Sequence, residues 1–369
     1  MSEIEGKDAL PAGIGAALRL IGDRVEARRG AAHFRLLHNG QVVTDRAFGC
    51  PPGTRFLIFS SGKPLLAALV HLLADRGHLS LDDTVAHHWP QFDRRGKDAI
   101  TIRHVLQHRA GLPVARGLIL DGLTAPNWRR STSALAAARP RFPPGEVPAY
   151  HILSFGYILG EVVERVTGGS VRDVMRTQLL EPLGMDDTSL GLTDGEPHLP
   201  VRSQGRGLAL QMHFNRRTIR RAVIPAATVT STAADLSRFY QMMLDDGVSG
   251  GRQILSPSAV RQALTPSSDM ETDGLLGVPV RWSHGFQLGG PCPVASTPRP
   301  LGSHSSRSAF GHNGSGCCVG WADPSRRLVL VYLSNLLSAE FTSSPHQSAV
   351  SDAVLSAYPR ADIHPRSGV

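Results

Sequence analysis

Apolar positions recur at helical spacing from Ile14 through Leu18 and Ile21 to Val25, which places one buried stripe on a helix over 13–28 and a stop at Gly30. The period then changes. Residues 33–37 and 41–48 flank His38-Asn39-Gly40, and an Asn-Gly pair supplies the positive φ angles of a tight hairpin, so two antiparallel strands follow the helix. A turn over 51–55 and a short apolar run over 56–59 lead to a strongly apolar stretch over 65–73. That stretch runs into Asp75-Arg76-Gly77 and reads as a buried helix that ends on glycine. From about Leu79 to Arg261 the pattern is mostly helical, with segments over 102–108, 131–138, 155–166, 170–180 and 233–244 separated by Pro and Gly clusters. Strand signals return over 308–312, 317–322 and 328–333, and a helix over 346–357 follows them.

Strands at both ends with helices between them predict a mixed α/β fold of the α+β kind. An antiparallel sheet built from N- and C-terminal segments is flanked by helices, a large mostly helical region is inserted, and a cleft lies at the junction. The expected boundaries are 1–78 with 275–369 for the sheet region and 79–274 for the helical region, together one catalytic domain. There is no internal repeat and no low-complexity tract.

Composition narrows the class. With 369 residues, 41% hydrophobic and 19% charged, the chain can bury a large core, which excludes disorder, collagen and coiled coil. Apolar runs such as 64–74 are broken by His71 and fall short of the roughly 18 to 20 residues a bilayer needs, so no spanning segment and no membrane partner are expected. Residues 1–11 are acidic and do not read as a signal peptide, and the expectation is a cytoplasmic protein. The net charge of +8 invites a nucleic-acid reading, but only three of the 39 basic residues are lysine (Lys7, Lys63, Lys97) and the arginines are spread along the chain, so no nucleic-acid partner is expected. The one dense cluster, Arg216, Arg217, Arg220 and Arg221, reads as a solvated loop able to steer an anionic substrate. Cys50, Cys292, Cys317 and Cys318 are too few for a disulfide framework, lack zinc spacing, and read as buried apolar thiols.

The sharpest chemical signal is Phe59-Ser60-Ser61-Gly62-Lys63-Pro64 at the mouth of the apolar helix. Proline is tolerated only in a helix's first turn, so Pro64 pins the helix start close to Ser60, and Lys63 falls one turn from the Ser60 hydroxyl. Serine is a weak nucleophile until a base takes its proton, and a lysine whose pKa is lowered by desolvation can serve. The competing reading is a helix-capping serine beside a solvated lysine, and S-x-x-K alone does not decide between them.

Three further segments bear on that choice. The run from Ile100 to Pro113, ITIRHVLQHRAGLP, resembles the T-I-R-x-L-L-x-H-x-S-G-L segment of serine β-lactamase-like proteins. The runs Pro182-Leu183-Gly184-Met185-Asp186-Asp187-Thr188 and Thr230-Ser231-Thr232-Ala233-Ala234-Asp235-Leu236 are similar to family segments in the same order. The chain is therefore identified as a member of the class C β-lactamase-like superfamily of penicillin-recognising enzymes, on its esterase and transacylase branch, over roughly residues 12–335.

The resemblance implies roles. Tyr150 matches the tyrosine of the family's Tyr-x-Asn motif, which exchanges protons with the nucleophile; Ile152 replaces the asparagine and weakens a β-lactamase reading. The family's Lys-Thr-Gly motif falls in Phe310-Gly311-His312-Asn313-Gly314-Ser315, with His312 in place of lysine, able to donate to a substrate carboxylate or the proton relay with a charge adjustable near pH 7. Backbone N–H groups of Ser60 and Ser315 would form the oxyanion hole, with Asn313 and Gly314 beside them. The implied catalyst is a serine acyl-transfer enzyme with Ser60, Lys63 and Tyr150 as its catalytic residues, moving an acyl group from an ester, amide or thioester to water, or to an amine or alcohol as transacylases of this branch do in natural-product assembly. The lack of an export signal disfavours peptidase and secreted β-lactamase roles, and a non-catalytic module of the same fold is the rival. Partners are a small-molecule acyl donor and acceptor, and no metal or other cofactor is implied.

Decoys remain. Gly247-Val248-Ser249-Gly250-Gly251 matches G-x-S-x-G but follows a helix rather than an apolar strand, so it reads as a turn. His104 and His108, spaced i, i+4, and the pair His87-His88 lack a further placed ligand, and Asn313-Gly314-Ser315 is a glycosylation sequon without an export signal to give it meaning.

Overall fold

The computed structural model describes residues 10–193, 199–204, 207–292, 294, 297, 299–338 and 345–360. Helix α1 (Ala12–Arg28) buries Ile14, Ala17, Ile21 and Val25 along one stripe. It ends with Arg29 in the left-handed conformation (φ 47°). Gly30 is needed for a different reason from the expected stop: a Cβ there would sit 2.4 Å from the Leu336 side chain. Strands β1 (Ala32–His38) and β2 (Gln41–Phe48) form the predicted hairpin, with Asn39 and Gly40 at φ 51° and 75°.

The main sheet has six strands in the order β2-β1-β6-β5-β4-β3, where β3 is Gln287–Leu288, β4 Phe310–Gly314, β5 Cys318–Asp323 and β6 Leu328–Ser334. Every pairing is antiparallel, and β1 lies against β6 from Ala32↔Ser334 to His38↔Leu328, so the two ends of the chain share one sheet. The sheet is covered on both faces, which is why β6 is a continuous apolar run. Leu328, Leu330 and Tyr332 pack with α1 and with Val350 and Val354 of the C-terminal helix (Pro345–Ala357), while Val329, Val331 and Leu333 join the larger core on the other side. That larger core contains α2 (Lys63–Asp75), in which eleven consecutive residues from Lys63 to Leu73 are buried. Helices α3 (Ser154–Thr167) and α4 (Ala233–Leu244) pack into the same core.

The middle of the chain departs from expectation in several places. Phe56–Leu57, Val229–Ser231 and Ser189–Leu190 build a second, three-stranded sheet; strands of two or three residues are too short to show alternation. The strand expected over 308–312 begins at Phe310, because Ser306 and Ser308 are tied to each other (2.9 Å) and Ser306 to Asp323 (2.6 Å) ahead of it. The helix expected over 170–180 is α-helical only over Val171–Met175 and continues as a π-turn to Leu180. The Arg216–Arg221 cluster is exposed at Arg216, Arg217 and Arg221 as expected, but Arg217–Arg221 is a helical turn rather than a loop, and Arg220 is 2% exposed, donating to the carbonyls of Phe214 and Leu199 and to Asn215 Oδ1. Cys317 and Cys318 are buried as expected, whereas Cys50 and Cys292 are half-buried. Among the described residues no helix is long and apolar enough to cross a membrane.

Candidate active site

Ser60 lies on a 3₁₀ turn (Phe59–Gly62) that leads without a break into α2, with Pro64 in the first helical turn as the sequence requires. The residue before it, Phe59, has φ 51°, a conformation costly for an aromatic residue and held here by burial and by an edge-on contact with Phe214 (centroids 4.8 Å). The turn is clamped to the sheet. Ser61 Oγ donates to the carbonyls of His312 (3.1 Å) and Cys318 (3.2 Å), and a Cβ on Gly314 would fall 2.1 Å from the Ile58 carbonyl oxygen. Only glycine permits that approach.

Lys63 is fully buried, and its Nζ lies 2.9 Å from Ser60 Oγ and 2.8 Å from Tyr150 Oη. Burial pushes the ammonium pKa well below the ordinary lysine value, so the neutral amine becomes accessible. Burial also pushes the Tyr150 phenol above its usual range, against the hydrogen bond with Ser60. A neutral amine held between a serine hydroxyl and a protonated phenol can take a proton from one and exchange it with the other.

Tyr150 comes from a loop without regular structure, and buried side chains hold it. Asp273, fully buried, accepts from the Tyr150 N–H through Oδ1 (3.0 Å) and from Trp282 Nε1 through Oδ2 (3.0 Å); its Oδ1 also takes the N–H groups of Leu275 and Leu276. The Trp282 ring stacks parallel to Tyr150 (5.4 Å, 5°). His108 Nδ1 accepts from the His151 N–H (3.1 Å), and its ring lies edge-on to Tyr150 at 5.0 Å. His151 donates from Nδ1 to Ala149 (2.6 Å) and accepts the Leu112 N–H at Nε2 (3.3 Å). Burial lowers the His151 pKa to about 4, and it holds His108 well below its ordinary value.

His312 is buried on β4, with its ring 5.9 Å from that of Tyr150. Here the charge expectation fails. Burial, reinforced by Lys63, lowers its pKa to about 3, so the ring is neutral near pH 7. Its Nδ1 donates to the Asn313 carbonyl (2.7 Å), which leaves Nε2 as an acceptor lone pair rather than a donor to a carboxylate. Asn313 and Ser315 are half-buried at the strand end, and Ser315 takes a left-handed conformation (φ 44°).

The structure thus brings Ser60, Lys63 and Tyr150 into direct contact, with the His312–Ser315 segment alongside. Sequence reasoning missed Asp273 and Trp282, which carry no local pattern. It treated His108 only as a packing residue, although the histidine of the T-I-R segment falls on it. His104 caps its own helix through Nδ1, accepting the Thr101 N–H (3.3 Å), and does not pair with His108. Among the described residues, Asp83 and the pair His87-His88 of the short helix Val85–His88 bring three potential metal-ligating atoms within 4.8 Å of one another, outside this cluster. The Gly247–Gly251 run forms a small hairpin, Val248–Ser249 against Arg252–Gln253, and no nucleophile elbow.

A buried lysine bridging a serine at a helix mouth to a tyrosine, set beside an antiparallel sheet, defines a serine hydrolase of the β-lactamase fold. The chain belongs to the Beta-lactamase family, whose model matches residues 18–352. It is 29% identical over 327 residues to Esterase/beta-lactamase LipL of Mycobacterium tuberculosis (strain ATCC 25618 / H37Rv), covering 80% of this chain and 72% of that protein. It is 32% identical over 304 residues to Penicillin-binding protein 4 of Amycolatopsis lactamdurans (74% and 71% covered). Among solved structures, a family VIII carboxylesterase superposes with a TM-score of 0.79 at 26% identity, covering 96% of this chain and all of that one. These relatives place the chain with esterase-type and related serine hydrolases.

Proposed function

We propose that the protein hydrolyses carboxylic esters through an acyl-enzyme on Ser60. The observation that carries this reading is the fully buried Lys63 Nζ between Ser60 Oγ and Tyr150 Oη at 2.9 and 2.8 Å. Neutral Lys63 takes the serine proton as Oγ attacks the carbonyl carbon. The oxyanion forms against the Ser60 and Ser315 N–H groups, and Tyr150 passes a proton to the departing alkoxide oxygen as the C–O bond breaks, while the Lys63 ammonium hands the serine's proton on to the Tyr150 oxygen. Water, deprotonated by the same pair, then attacks the acyl-enzyme, and the proton returns to Ser60 Oγ.

Two features favour uncharged esters over β-lactams. Ile152 supplies no amide-recognising side chain. His312 is neutral, so no cation stands there to meet the carboxylate of a penicillin. The likeness to a family VIII carboxylesterase supports the same choice, while the LipL name covers both activities. Transfer to an amine or alcohol differs only in what attacks the acyl-enzyme.

Turnover of a neutral activated ester and of a penicillin, each with and without an amine acceptor, tests the proposal. Rapid ester hydrolysis with penicillin turnover at least ~100-fold slower supports it, since a lost charge-assisted contact costs about that factor. Equal or faster penicillin turnover overturns it. Dominant amide product in the presence of amine replaces hydrolysis by transfer.

A further inference from the structure

On the helical region lies a cleft of about 930 Å³ whose lining includes Arg95, Arg116, Arg129, Arg130 and Arg139 and no carboxylate. All five arginines are exposed. Arg116 donates to Thr124 Oγ1 (2.6 Å) and lies 3.5 Å from Asp121. Among the described residues, the guanidinium groups of the other four have neither an ion pair nor a hydrogen bond. The five come from three chain segments; Arg116 is paired with Asp121, but the other four cations share the concavity with no carboxylate in its lining, so the cleft favours an anionic occupant.

A second feature adjoins it through Thr124, which also lines the cleft. The helix Leu118–Thr124 has no buried residue, and Leu118, Ile119, Leu120 and Leu123 are 55, 79, 53 and 63% exposed. It is fastened in place: the Asp121 carboxylate accepts the N–H groups of Ala115 (2.8 Å) and Arg116 (3.2 Å). Four large apolar side chains on one short helix at the edge of an arginine cleft are costly to leave in water.

We propose that this face docks on an anionic phospholipid surface, with the leucines and isoleucine entering the interface and the arginines meeting lipid phosphates. A small soluble polyanion would use the arginines and leave the helix in water. A neutral apolar partner would leave the arginines uncompensated. An anionic lipid surface satisfies both, and guanidinium groups suit phosphate oxygens through paired hydrogen bonds. The absence of a spanning segment in the sequence bears only on crossing a membrane; this surface exists only once the three segments are folded together.

The test is flotation of the full chain with phosphatidylcholine vesicles and with vesicles enriched in phosphatidylglycerol. Wild type is expected to bind the anionic vesicles at least about tenfold better, and added salt weakens that binding. Arg129→Glu with Arg130→Glu, and separately Ile119→Glu with Leu123→Glu, should each reduce it about tenfold or more. Hydrolysis of a soluble ester reports that both variants are folded. Failure of wild type to bind, or equal binding to neutral vesicles, overturns the proposal. So does a result in which the arginine pair matters, the apolar pair does not, and inorganic pyrophosphate competes, because the cleft then serves a soluble anion. Anionic binding unchanged by either pair overturns it too.

Discussion

The two halves of the candidate site are held in different ways. On the nucleophile side, the Ser60 turn is pressed against β4 by backbone close approach: Gly314 leaves no room for a Cβ, and Ser61 ties the turn to the His312 and Cys318 carbonyls. On the tyrosine side, Tyr150 sits on an irregular loop fixed by Asp273, Trp282, His108 and His151. The first half is fixed by the sheet and core, so it tolerates little change in shape. The second is fixed by buried side chains, three of which accept backbone N–H groups while Trp282 holds Asp273, so single exchanges there should displace the proton relay while the fold stands.

A series of substitutions probes this contrast, in decreasing order of effect. Ser60→Ala removes the nucleophile, and kcat/KM for an activated ester should fall by about 10⁴ or more; retention of more than a few per cent of the activity would show that another group attacks. Lys63→Met should cost about 10³-fold, the scale of a positioned base. The pH dependence sharpens that second test. Protonated Lys63 cannot accept a proton, and its pKa lies below the ordinary value, so activity falls as pH drops through that lowered value and is level above it. His312 at about 3 and His151 at about 4 are neutral above those values and add no limb between about pH 5 and 9. A histidine-like limb near pH 6.5 that disappears in a His312→Asn variant would contradict this assignment of charge.

The props give smaller effects. Asp273→Asn keeps the shape but turns one carboxylate oxygen into a donor facing N–H groups, so kcat should drop about tenfold with KM little changed. Gly314→Ala, on the other side, should lower stability by about 2 kcal/mol along with activity, because the strand must move off Ile58. Thermal unfolding with steady-state kinetics separates the two: the comparison fails if Asp273→Asn unfolds the protein as readily as Gly314→Ala. Trp282→Phe keeps an aromatic ring against Tyr150 but loses the bond to Asp273 and part of the packing on His108 and His312, and a two- to threefold fall in kcat is expected.

Much of the nucleophile half was legible in the sequence. Pro64 ahead of a strongly apolar run fits only the first turn of the helix, S-x-x-K needs only one helical turn, and the Asn39-Gly40 hairpin and the β6 apolar run follow from local periodicity. The tyrosine half was legible only at Tyr150, through the family pattern. Asp273 lies 123 residues from the Tyr150 N–H it accepts, and no local spacing announces such a contact. The charge of His312 was misjudged because its neutrality comes from burial against Tyr150 and Trp282 and from Lys63, all products of the tertiary fold. The arginines near residue 220 misled for the opposite reason: a dense basic run suggests solvent, yet Arg220 turns inward to cap backbone carbonyls.

The central claim is that Ser60 becomes acylated with Lys63 as its base. Intact-protein mass after rapid mixing with an activated ester, followed by peptide mapping of any adduct, tests it most directly. One acyl group is expected on wild type, located at Ser60, absent from Ser60→Ala and accumulating about 10³-fold more slowly in Lys63→Met. An adduct mapped to another residue, or equal acylation of wild type and Ser60→Ala, would contradict it.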